Sequence, residues 1–246
     1  MKKITLLSLI FVLLMVFSSS AYAEPVNQKI TTLIPSESSS ILSKVELIED
    51  VNGIVSVRIE GTATAGDHRG YHIVVNQETK TYSATLTELE PSQQTENQLS
   101  SQLLGATYYT AHVRAHTYDP INIDCNWTDL GFTWKDDGNG NGYSSITHAG
   151  RSLNTWDGNP TSAGTNWYLF SSRYYNSTPS GNTESAEAVH VNYNFLGGIF
   201  GSTYATHNIS IYPQPEGNGR YNWYTTFTPS GDGAAKYLLH LYTEVY

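Results

Sequence analysis

The chain has 246 residues and carries 13 Lys and Arg against 22 Asp and Glu, a net charge of −9 with neutral histidines. That balance, without any Lys/Arg-rich segment, argues against DNA or RNA as a partner, because binding a phosphate backbone requires clustered cations. Cys125 is the only cysteine, which excludes an internal disulfide and leaves stability to a packed core.

Lys2 and Lys3 precede an apolar run from Ile4 to Phe17, which ends in SSSAYA. A basic start, a short hydrophobic segment and the small-x-small pair Ala21 and Ala23 form a signal-peptide pattern over residues 1–23. The run falls short of the roughly 20 residues of a membrane span. Cleavage after Ala23 would leave 223 residues, with the net charge moved from −9 to −11 by loss of the two lysines. No cysteine lies near that point to carry a lipid, so the expectation is a secreted or extracytoplasmic protein of bacterial type without a membrane anchor.

Residues 24–43 are Ser/Thr-rich and weakly patterned, an N-terminal lead-in with a turn of helix expected at SILSKVEL. From residue 44 to 246 the pattern predicts a single β domain. A polar stretch at Pro91–Ser101 offers an alternative division, and Gln93–Leu104 is the one helix candidate. Elsewhere the period is two. Val55, Val57 and Ile59 alternate with polar residues; Tyr71–Val75 leads through NQETK into Tyr82, Ala84 and Leu86 as a hairpin. Ala111, Val113, Ala115 and Thr117 share a face, as do Val189, Val191, Tyr193 and Phe195, then Ala205, His207, Ile209 and Ile211, and finally Tyr237, Leu239, Leu241 and Val245. The prediction is an all-β chain, an antiparallel β-sandwich or jelly-roll-like fold with at most one short helix.

KDDGNGNGY, Lys135–Tyr143, opens like a calcium loop: Asp137, Asn139, Asn141 and Gly142 follow the EF-hand spacing. The match then fails, since Ser144 stands where an apolar residue belongs and His148 where a bidentate Glu belongs. Similar turns recur at WDGNP, PEGNGR and PSGDGA, so a strand connection explains the motif without metal. A calcium site of another kind, built from Asp136, Asp137, Asn139 and Asn141, is the second reading.

No HExxH, P-loop or nucleophile elbow occurs. His112, Arg114 and His116 fall on one face of a strand, near Tyr118 and Asp119. At about 13 Å apart the two histidines cannot share one zinc, and each would join residues from a neighbouring strand. Glycoside hydrolysis would need two carboxyls across a cleft. Asp119 with Asp124, or Glu184 with Glu187, are available, although the latter two point to opposite faces of an ideal strand. Cys125 reads as a buried small residue. The sequons at Asn126, Asn176 and Asn208 matter only in a glycosylating host.

Eighteen Tyr and five Trp concentrate where strands meet Asn- and Gly-rich turns. Aromatic planes beside amides and carboxylates suit stacking on sugar rings, so carbohydrate or cell-surface binding leads, through Trp156, Trp167, Tyr174, Tyr221 and Trp223. A protein-interaction or structural exoprotein is the second reading. A hydrolase with its site near the His112/His116 strand is the third.

Overall fold

Alternation of apolar and polar residues does produce strands, fourteen of them, in a computed structural model that describes residues 28–36, 42–90, 107–136, 146–158, 166–175, 182–193, 201–215, 218–231 and 238–246. In chain order they are β1 Lys29–Thr32, β2 Ile34–Pro35, β3 Lys44–Glu49, β4 Val55–Thr64, β5 Arg69–Asn76, β6 Thr81–Glu88 and β7 Thr107–Tyr118. There follow β8 Asp124–Asp136, β9 Ile146–Asp157, β10 Trp167–Tyr174, β11 Glu184–Asn192, β12 Thr203–Pro213, β13 Arg220–Gly231 and β14 His240–Val245. They make two seven-stranded sheets, ordered β1-β3-β4-β13-β12-β11-β10 and β2-β6-β5-β14-β7-β8-β9. Every pairing is antiparallel except the short parallel contact of β2 with β6. The sheets pack face to face as a β-sandwich, and no α-helix occurs among the described residues.

Two expectations need correction. The lead-in is part of the sandwich: β1 borders one sheet, β2 the other, and Leu33 between them is buried. KVELIE is strand β3, because Val45 and Leu47 alternate inward while β4 supplies its partner. The helix candidate at Gln93–Leu104 lies outside the described residues.

Most of the interior is apolar. Ile59, Ile73, Val113, Leu130, Phe132, Trp134, Ile209, Ile211 and Phe227 are buried in one continuous cluster. Trp223 lies opposite Gly61 in the β13–β4 register, and a Cβ on Gly61 would stand 2.6 Å from Cε2 of the indole. Glycine is required there for the ring to lie across the neighbouring strand. On β11 the inward set is Ala186, Ala188 and His190 rather than Val189 and Val191. The valines face outward, with Val191 covered in the row between Tyr168 and Tyr204, so the apolar spacing gave the wrong face.

The other part of the interior is polar. Asp157 Oδ1 lies 2.6 Å from His190 Nδ1, and His190 Nε2 lies 3.0 Å from Thr128 Oγ1. Thr128 Oγ1 is also 3.0 Å from His207 Nδ1, and His207 Nε2 is 2.9 Å from Thr117 Oγ1. The Asp157 carboxylate accepts an N–H from His190 at one end of the chain. Thr128, whose hydroxyl can donate once and also accept, links the two rings, and Thr117 meets the far nitrogen of His207, so each ring nitrogen has a partner. Burial pushes His207 well below the usual histidine range and keeps its ring neutral.

Replacing Thr128 with Val preserves shape but strands two ring nitrogens in the core. Each unmade buried hydrogen bond costs about 1–3 kcal/mol. Thr128→Val should therefore lower unfolding stability by at least about 2 kcal/mol, read from urea denaturation; an unchanged midpoint would show that the chain contributes nothing.

Candidate functional site

Where β7 turns Ala111, Val113, Ala115 and Thr117 inward, it must turn His112, Arg114 and His116 outward. The register of β14, β8 and β9 then aligns these side chains with partners in straight rows. One row is Glu244, Arg114, Asp129 and Asn154; the next is His72, Tyr242, His116, Trp127 and Trp156. Together they make a polar and aromatic outer face across five strands.

Arg114 organises the first row. Its Nη1 donates to Glu244 Oε2 at 3.3 Å, its Nη2 to the Tyr246 hydroxyl, and its Nε lies 3.9 Å from Asp129 Oδ1. The guanidinium packs over the rings of Trp127 and Tyr246, 4.5 and 4.9 Å from their centroids. Asp129 is buried and is met by His112 Nδ1 at 3.1 Å and the Tyr246 hydroxyl at 2.9 Å. His112 stacks on Tyr246 at 5.0 Å and 6°. Gly131 permits this, because a Cβ there would stand 2.6 Å from His112 Cε1. Beside the row a hollow of about 270 Å³ is lined by His68, Leu89, Glu90, Arg114, Glu244 and Tyr246.

His116 bridges two carboxylates, with Nδ1 2.8 Å from Asp124 Oδ2 and Nε2 3.4 Å from Glu244 Oε2. Burial alone would push its pKa down, but hydrogen bonding and charge from Asp124 and Glu244 outweigh it and hold the imidazole above its usual range. Burial likewise works to raise Asp129 and Glu244, and is overcome. Hydrogen bonding and charge from His112, with Arg114 nearby, depress Asp129; His116 and Arg114 depress Glu244. Both are carboxylates at neutral pH. The two histidines thus join different partners, as their separation on the strand requires.

Of the aromatic candidates, only Trp156 lies open on this face, at 41% exposure, with its ring stacked on Trp127 at 6.5 Å and 16°. Trp167 and Trp223, each 1% exposed, and the fully buried Tyr221 are core residues and cannot touch a ligand as placed. They fall at inward register positions, which adjacency to turns does not reveal. Tyr174 is half-buried on β10 under the guanidinium of Arg151, 3.9 Å from its ring centroid, and Arg151 points inward from β9 whereas Trp156 of the same strand points outward. The five therefore do not form one site. Other exposed aromatics, Tyr168, Phe170 and Tyr193, stand at the β10 edge of the opposite sheet.

Asp136 is buried at the end of β8, while Asp137, Asn139 and Asn141 lie outside the described residues. Among the described residues no cluster of three or more His, Cys, Asp or Glu is arranged to hold a metal. Asp119 caps the β7–β8 turn, accepting the Ile121 and Ile123 amides, and Asp124 serves His116. Glu184 points inward to Arg151 and His148, whereas Glu187 points outward to Arg173, so they do not share a cleft. Cys125 is buried and its thiol is pushed up to about 12 by burial, which leaves it unreactive. Asn126 is fully buried, so the folded chain cannot present it for glycosylation. Sequence reasoning missed Asp129, Glu244 and Tyr246; only their register opposite Arg114 and His112 marks them.

No protein-family model, curated protein or solved structure matches this chain. The site must be read from its own chemistry.

His116 and His207 place opposite pH dependences on stability. His116, raised in the fold, contributes fully below about pH 6.5 and loses that contribution as pH rises through its folded pKa. His207, depressed in the fold, contributes above about pH 6.5 and loses it as pH falls. Stability should peak near pH 6.5. Urea midpoints across pH check this: His116→Gln should flatten the alkaline limb and leave the acid limb standing, and a wild-type profile that rises steadily through neutral pH would contradict the assignment.

Proposed function

We propose that the chain is an exported binding protein that holds a carbohydrate, free or on a cell surface, against the Trp156–Trp127 platform. The observation that carries this reading is the exposed Trp156 indole, backed by Trp127, beside Asn154, Asp129 and Arg114 in the adjoining row. An apolar plane takes the C–H face of a sugar ring while amide, carboxylate and guanidinium groups take its hydroxyls. Trp127 is fixed from below by Arg114, so the platform is ordered before a ligand arrives and little entropy is lost on binding.

Binding is favoured over hydrolysis at this face. A glycosidase needs one carboxyl protonated as the general acid. Asp129 and Glu244 are both held ionised, with Arg114 between them, which suits hydrogen bonding to hydroxyls and not proton donation. The signal-like residues 1–23 and the acidic composition support an extracytoplasmic setting.

A glycan array on protein lacking residues 1–23, with and without calcium, tests the reading. Truncating a central aromatic contact costs at least about 2 kcal/mol, so Trp156→Ala should weaken the best glycan at least about thirtyfold, while Tyr108→Ala, an exposed aromatic off the platform, leaves it unchanged. Absence of binding to every glycan would remove the assignment. Binding that resists chelation would remove calcium from it.

A further inference from the structure

Beyond the His72–Tyr242 pair β5 and β14 are no longer paired, and a cleft of about 350 Å³ lies there. Its walls come from β4 and β13 on one sheet, β5 and β14 on the other: Val55, Val57, Ile73, Val75, Phe227 and Leu241. Several of these belong to the main hydrophobic core, so the cleft is a gap opening directly onto it. Protein interiors seldom leave voids larger than a water molecule. This volume lies in the range of small-ligand pockets, roughly 300–1,000 Å³.

Among the described residues the lining contains no Lys, Arg, Asp or Glu. Its polar groups are few, and three gather on one side: His72, His240 and Asn122. Asn122 holds a left-handed backbone, φ 62°, and its Oδ1 accepts the His240 Nε2–H at 3.1 Å. The His72 and His240 rings meet edge to face at 5.5 Å. At the mouth, Val74 is 52% exposed and Leu238 is exposed beside it. Ile121, 75% exposed, and Val51 project from the turns that carry Asn122 and Gly53. Aliphatic side chains presented to water from separate segments around one apolar cleft mark a binding site rather than scattered surface residues.

We infer that this cleft binds the aliphatic chain of a soluble single-chain amphiphile, with its polar head beside His72, Asn122 and His240. The uncharged lining matches an uncharged chain, since an ion would be desolvated there without a partner. The imidazole and amide groups on one side supply hydrogen bonds for a carboxylate or hydroxyl head. The site is separate from the Trp156 platform and does not rest on the carbohydrate reading.

The test uses the protein lacking residues 1–23 with the fluorescent probe ANS, displaced by laurate, and calorimetry with laurate below its micelle concentration. One laurate per chain is expected. Val75→Trp, which fills the cleft, should weaken it at least tenfold. Val74→Asp, at the exposed mouth where folding is not at stake, should weaken it severalfold; His72→Phe should weaken laurate while ANS still binds. Failure of laurate to bind, or wild-type affinity in both Val74→Asp and Val75→Trp, overturns the proposal. So does binding to phosphatidylcholine vesicles without binding of monomeric laurate, which would make the cleft a membrane contact. A dimer seen by sedimentation, abolished by Val74→Asp and indifferent to laurate, would assign the cleft to a second copy and overturn it equally.

Discussion

The pairing of β7 with β14 on one side and β8 on the other fixes nearly everything else in this molecule. β14 is the late strand of the chain, yet it lies between β5 and β7 near the centre of its sheet. Its register puts Glu244 opposite Arg114 and Tyr242 opposite His116. A slip of one residue would turn Arg114 and two histidines into the core and Val113 and Ala115 into water. The desolvation of an unpaired guanidinium forbids that slip more strongly than any propensity. The charged outer row therefore helps specify the sandwich and is not merely displayed by it.

The interior shows how partner chemistry decides a histidine's state. His207 projects inward from β12 of one sheet and His116 outward from β7 of the other, and both are largely removed from water. Hydroxyls surround His207 and can accept or donate to suit a neutral ring; carboxylates surround His116 and reward the cation. Desolvation works against charge at both places, and only the second supplies the Coulombic and hydrogen-bonding return that exceeds it. The consequence is a fold with its polar interior locked in one protonation state and its outer face locked in another.

Much of this was legible in the chain. Period-two alternation at Val55–Ile59, Ala111–Thr117 and Ala205–Ile211 gave the strands and the correct core faces, because each such segment buries one side only. His112, Arg114 and His116 were placed together for the same reason. Facing was lost where register depends on distant residues. On β9 an irregularity opposite Thr133 and Trp134 puts His148 and Arg151 on the same inward side, which strict alternation would separate. Trp156 and Trp167 both border an Asn- and Gly-rich turn, yet one faces water and the other the core. Local composition cannot distinguish them, since the difference lies in which strand each is paired with. Asp129 was invisible for a related reason: an acidic residue in a strand acquires meaning only from the arginine opposite.

The second row also joins the two proposed binding regions. It begins at His72 beside the apolar cleft and runs through Tyr242, His116 and Trp127 to Trp156. Contact along a row is not by itself communication, because coupling requires an element with two arrangements that both ligands bias. Here the middle of the row is held by paired charges: His116 between Asp124 and Glu244, and Arg114 over Trp127. Moving either would break a partly buried ion pair, which leaves the row one favoured arrangement. Ligands at its two ends should therefore bind independently. A molecule that carried both a sugar and an aliphatic chain would gain only through the length that links them, as effective concentration, and not through a change of shape in the sheet.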